Sequence, residues 1–146
     1  MKLLTIFLFF PVLLLYAPVT DQITKDQSIV FRAFFSEFTP ELAKEAIDFY
    51  ITESETAFAQ AKLETGNFTS IVFRENHNMF GMRHPQVRQT TSLGNRGYYA
   101  YYDHWIYSVF DYELLYQYYI SRGKDFEYML EVYCPDEDYL LKIKML

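Results

Sequence analysis

Read for apolar spacing, the chain alternates between helical stripes and short punctuated segments. Thr39-Pro40 has the form of an N-cap followed by proline at the first helical position, and Leu42, Ala43, Ala46, Ile47 and Tyr50 then recur on one face of a helix. Thr52-Glu53-Ser54-Glu55 reads as a capping box, with Phe58, Ala61 and Leu63 facing inward until Gly66 stops the second helix. Thr69 or Ser70 is placed to cap a short helix ending near Arg74 or Glu75, before a loop over residues 76–81 rich in Asn and Gly. The period then changes. Residues 86–91 read as a polar strand with Val87, Thr90 and Thr91, and after the Gly94 to Gly97 turn Tyr98 to Tyr102 form an alternating tyrosine strand. Asp103 is placed to cap a helix through Ile120 whose apolar residues surround much of its circumference, the mark of a central, buried helix. Two closing helices are expected over about residues 126–133 and 136–144.

The first 20 residues follow another rule. Lys2 precedes an almost unbroken apolar run from Leu3 to Leu15, and Tyr16-Ala17-Pro18-Val19-Thr20 follows, which has the form of a secretory signal. The run is shorter than the roughly 20 residues a spanning helix needs. No clean cleavage site is visible, so an uncleaved form would remain held at a membrane. The expected organisation is therefore a signal peptide or anchor over residues 1–20, a linker over residues 21–38 with a short segment around residues 29–35, and one domain over residues 39–146. Its location is expected to be periplasmic or extracellular.

At 146 residues there is room for one folded domain. Of 13 basic residues only Lys2 lies in the first 20, so the remainder sets 12 basic against 19 acidic side chains, a formal charge of −7. That balance excludes nucleic acid, whose capture needs clustered Lys and Arg. Cys134 is the only cysteine, so no intrachain disulfide supports the core. His77, His84 and His104 match no zinc spacing, and no metal or other cofactor is expected. Aromatic residues make up 20% of the chain; most would fill the core, whereas the cluster of Tyr98, Tyr99, Tyr101, Tyr102 and Trp105 has the amphipathic surfaces that cover sugar rings.

One carboxyl group stands out. Glu64 lies on the last turn of the second helix, where apolar neighbours desolvate its anion and the helix C-terminal dipole repels negative charge. Such a group keeps its proton near neutral pH and suits general acid catalysis.

Three blocks in order, Ala59-Gln60-Ala61-Lys62-Leu63-Glu64-Thr65-Gly66, then Asn76-His77-Asn78-Met79-Phe80-Gly81-Met82-Arg83, then Gly97 to Tyr112 with its Trp105, Ser108, Asp111 and Tyr112, resemble the glucosaminidase-type peptidoglycan hydrolases of the lysozyme-like superfamily. The tail Cys134 to Ile143 is similar to the closing helix of some relatives. The resemblance implies a mainly α, lysozyme-like fold with a small β-hairpin lobe. It implies hydrolysis of the N-acetylglucosamine and N-acetylmuramic acid backbone by a monomer, with the peptidoglycan glycan strand as partner. Glu64 matches the family's acid and Tyr102 its functional tyrosine. Asn78, Phe80, Tyr98, Tyr99 and Trp105 would bind sugar. Relatives often add a loop carboxylate, but residues 83–102 contain none. The alternative reading is a glycan-binding or membrane-held structural module of the same fold without turnover.

Overall fold

The computed structural model describes residue 25, residues 27–136 and residues 138–146. The expected signal or anchor therefore lies outside the described residues. Helix α1 covers residues 27–35; α2 (Pro40–Tyr50), α3 (Ser54–Thr65) and α4 (Ile71–Asn76) follow, then β1 (Gly94–Arg96) and β2 (Tyr99–Tyr101), then α5 (Trp105–Ile120), α6 (Phe126–Tyr133) and α7 (Tyr139–Lys144). The architecture is mainly helical with one two-stranded antiparallel sheet, in agreement with a lysozyme-like fold.

The caps follow local chemistry. Thr39 Oγ1 accepts from the Leu42 amide at 3.1 Å and starts α2, whose Leu42, Ala43, Ala46 and Ile47 are buried. Gly66, at φ 55°, ends α3 in the left-handed region, and the Asn67 amide reaches back to the Lys62 carbonyl at 2.8 Å. Ser70 caps α4 through the Phe73 amide at 3.1 Å.

Four local expectations are corrected. The capping box before α3 does not form: Glu53 is the N-cap without a side-chain bond, because Thr52 turns its amide and hydroxyl to Glu113 on α5. Residues 86–88 are bends and 89–91 are irregular, so no strand forms there. Their side chains, not their backbone, make the attachments: Thr91 Oγ1 donates to the Tyr107 carbonyl at 2.6 Å and Arg88 reaches Asp111. Helix α5 is capped by His104 rather than Asp103, with the imidazole Nδ1 accepting from the Ile106 amide at 3.3 Å while Asp103 is exposed. Finally, α7 begins at Tyr139, not at residue 136.

Helix α5 is the axis of the core. Its Ile106, Val109 and Tyr112 are buried, and Tyr112 joins three elements: its ring stacks on Phe80 at 4.2 Å between centroids, and its hydroxyl donates to Gln60 Oε1 of α3 at 2.6 Å. The segment read as a linker carries α1, which docks on this core through buried Ile29 and Ala33 and through Phe34, 4.6 Å from the His104 ring. Arg32 of α1 pairs with Glu45 of α2 at 2.6 Å. Among the described residues no helix is long and apolar enough to cross a membrane.

Candidate active site

A groove of about 790 Å³ runs between the end of α3, the segment after Gly81, β2, the second half of α5 and the end of α6. Glu64 is the only carboxylate among its described lining residues. Thr65, next in the chain, is buried, its hydroxyl donating to the Ala61 carbonyl at 2.6 Å and accepting from the Phe68 amide at 2.7 Å. The helix therefore stops rigidly at the point where Glu64 emerges.

Two neighbours divide the carboxyl group. Tyr139 of α7 donates its hydroxyl to Glu64 Oε1 at 2.6 Å. On the other side, a methyl group added to Gly81 would lie 3.0 Å from Oε2. Gly81 also has φ +67°, so the backbone and the space both favour glycine. One oxygen is thus held while the other borders the open groove. Burial raises the Glu64 pKa above the ordinary carboxylate range, and the Tyr139 hydrogen bond opposes it. The Tyr139 phenol is itself pushed up, first by its own burial and then by the bond to Glu64, so it remains a donor across the physiological range.

No local pattern around Tyr139 marks it as a site residue. It stands 75 residues after Glu64, and only its place within the Cys134 to Ile143 tail marked the region. A second tyrosine was missed with it: Tyr133, at the end of α6, lines the groove and has a buried hydroxyl with no hydrogen-bond partner. Its pKa is raised well above the usual value by burial first, with Glu64 and Tyr139 adding to it. An orphaned buried hydroxyl costs about 1–3 kcal/mol.

The residues expected from sequence fall into three groups. Glu64 and Tyr99 line the groove, Tyr99 being partly exposed on β2. Asn78, Phe80, Tyr102 and Trp105 are outside its lining, and all four are buried. Asn78 spends its amide on the backbone: Nδ2 donates to the Met82 and Ala100 carbonyls at 2.8 and 2.9 Å, and Oδ1 accepts from the Met82 amide at 3.1 Å. These bonds pin the turn that carries Gly81 to β2. Phe80 packs on Tyr112, and Trp105 meets Phe38 edge-on at 5.5 Å. Tyr102 donates its one hydroxyl proton to Asp111 Oδ2 at 2.7 Å, and Asp111 in turn pairs with Arg88 at 2.6 Å. Tyr98 lies beside the hairpin turn, 82% exposed and outside the groove lining.

The loop histidines are also committed. His77 lies at φ 52° and donates from Nδ1 to the Tyr102 carbonyl at 3.0 Å; the carbonyl can only accept, which fixes the proton on that nitrogen. Among the described residues no three His, Cys, Asp or Glu side chains gather in a way that would hold a metal ion.

An acid at a helix end facing a tyrosine-lined groove, under a small β-lobe, is the arrangement expected of a glycosidase. The family model for glucosaminidase, described as mannosyl-glycoprotein endo-beta-N-acetylglucosaminidase, matches residues 40–146. The chain belongs to the glucosaminidase family. Membership brings with it a glycosidase-type function and a glycan substrate. No curated protein and no solved structure matches the chain at a significant level. The matched span includes α2 to α7 and both strands, and so the whole groove; α1 precedes it.

Proposed function

We propose that this protein is an exported hydrolase that cuts glycosidic bonds in the N-acetylglucosamine and N-acetylmuramic acid backbone of peptidoglycan, with Glu64 as general acid. The observation that carries this reading is the division of the Glu64 carboxyl group. Tyr139 occupies Oε1 as an acceptor, so the proton resides on Oε2, the oxygen that borders Gly81 and the groove. Burial raises the pKa of the group, so that proton is held to higher pH than on an ordinary carboxyl group. A sugar seated in the groove then receives it on the leaving oxygen as the bond to the anomeric carbon breaks.

The positive charge that develops on the ring has no second groove carboxylate to meet it among the described residues. The substrate's 2-acetamido oxygen fills that role by bonding to the anomeric carbon, and water later opens the resulting ring and returns a proton to Glu64. Tyr99 covers an apolar sugar face at the lobe edge. Tyr102 acts beneath the site, through Asp111 and Arg88, as a positioning residue. Export through the residues 1–20 segment brings the enzyme to the wall.

The test is mass spectrometry of muropeptides released from purified peptidoglycan. New N-acetylglucosamine or N-acetylmuramic acid reducing ends are expected, and their identity names the bond. Binding to the strand without new reducing ends would make the chain a glycan-binding module instead.

A further inference from the structure

Among the described residues that line the groove are two guanidinium groups, and they are placed differently. Arg88 is committed to the fold: its side chain is 7% exposed, it pairs with Asp111 at 2.6 Å and it donates to the Gln89 carbonyl at 2.8 Å. Arg83 is exposed, lines the same groove, and has neither a hydrogen bond nor an ion pair among the described residues. Its backbone is nonetheless held on both sides. Met82 before it is tied by amide and carbonyl to Asn78, and by its carbonyl to the Ala100 amide at 2.8 Å; the His84 amide after it donates to Asn95 Oδ1 at 3.1 Å. A clamped backbone therefore projects a free cation at the groove. Arg83 is also not among the charges that set the Glu64 pKa, so its charge is not spent on the acid.

We infer that Arg83 reads a carboxylate of the substrate, so that this groove takes an acid-bearing glycan in preference to a neutral polymer of N-acetylglucosamine. The inference rests on the groove being the glycan site proposed above. A planar guanidinium engages a carboxylate through two parallel hydrogen bonds, which gives direction as well as attraction. The need for such a group follows from the charge of the whole chain. A protein at −6 repels an anionic polymer over its general surface, so a cation inside the groove selects where that polymer is admitted. The carboxylate has two sources in a wall glycan: the lactyl group of a muramyl unit without its peptide, and the acidic residues of a stem peptide.

Binding separates this inference from the question of turnover. Full-length protein carrying Glu64→Gln is titrated with three ligands of equal sugar length: a bare strand with free lactyl carboxylates, a peptide-bearing strand whose lactyl groups are amidated, and an all-N-acetylglucosamine oligomer. The acid-bearing strands should bind about tenfold more tightly than the neutral one, with the advantage shrinking as salt is raised. Adding Arg83→Gln should remove that advantage while changing affinity for the neutral oligomer less than about twofold, and Arg83→Lys should restore part of it. Loss on the bare strand names the lactyl carboxylate, and loss confined to the peptide-bearing strand names the stem peptide. Equal affinity for all three ligands, or an equal loss on all three after Arg83→Gln, overturns the inference. The Arg83 side chain bonds to none of the described residues, so an unchanged thermal midpoint is the folding control. Failure of the parent protein to produce reducing ends would overturn the hydrolase reading and leave this binding result standing.

Discussion

Arg88, Asp111 and Tyr102 form one polar cluster beneath the β-lobe, and Glu64, Tyr139 and Tyr133 form another at the groove. In the first, the Asp111 carboxylate is fully buried and each of its oxygens accepts, one from Arg88 and one from Tyr102. In the second, Glu64 is partly buried, one of its oxygens is held, and the nearby Tyr133 hydroxyl has no partner among the described residues. Both clusters combine a carboxylate with tyrosine. What separates them is completeness: a saturated network fixes a shape, whereas an unsaturated one beside a cavity retains bonds to offer a ligand.

Exchanging a carboxylate for its amide in each cluster is the sharpest way to break that comparison. Glu64→Gln should lower turnover by about a thousandfold or more, because the amide is nearly isosteric yet delivers no proton, and the thermal midpoint should hardly move. Asp111→Asn should do the reverse, destabilising the fold by about 3–5 kcal/mol through the unpaired Arg88 charge. Rates on purified peptidoglycan and denaturant melts of the same two variants decide the matter; if Asp111→Asn is silent in the melt, the first cluster is not a structural one.

The tyrosines repeat the comparison on a smaller scale. Tyr139→Phe should reduce turnover about ten- to a hundredfold by freeing the held oxygen of the acid. It should also displace the pH profile. Glu64 acts while protonated, so the rate falls as pH rises through its pKa. The Tyr139 bond lowers that pKa against the larger effect of burial, so its removal moves the alkaline limb to higher pH. Tyr102→Phe should leave that limb in place and cost about 1–2 kcal/mol of stability instead. A displaced limb in Tyr102→Phe with none in Tyr139→Phe would reverse the two assignments.

How much of this was legible in the sequence depended on the range of each interaction. The caps at Thr39 and Ser70 and the stop at Gly66 are set by neighbours within four residues, and they stand where the pattern put them. Glu64 was legible for the same reason, through its helix end and the glycine after it. The Thr52 to Glu55 capping box failed because Glu113, 61 residues away, takes Thr52 for itself. Tyr102 and Tyr139 show the same limit. Composition marks both as tyrosines near family motifs, but only the packing of α7 on α3 shows which hydroxyl meets the acid. Burial likewise turned Asn78 and Phe80 from groove residues into its supports, and set Trp105 in the core against Phe38.

The smallest expected effect concerns the entrance of α5. His104 caps that helix by accepting at Nδ1, which it does only while that nitrogen is unprotonated. Burial lowers its pKa below the usual value of 6.5, and His77 adds to this. A depressed pKa means that the contribution is complete above about pH 6.5 and is lost as pH falls through the folded value. His104→Asn keeps an acceptor that does not titrate there. Its thermal midpoint relative to the parent should therefore rise between pH 7.5 and pH 5, by an amount equivalent to about 0.5–1 kcal/mol. A constant difference across that window would remove His104 from the pH response.

The bond between Glu64 and Tyr139 also orders events in time. Its two residues are separated by 75 positions, so a chain emerging from its N-terminus presents the acid long before the helix that sets it. Closing so long a loop is an entropic cost that the earlier helices must already be in place to offset. The pair is therefore completed last: a chain made only as far as α6 carries the Glu64 carboxyl group without the hydroxyl that holds Oε1, and the local geometry of the groove is set when α7 docks on α3.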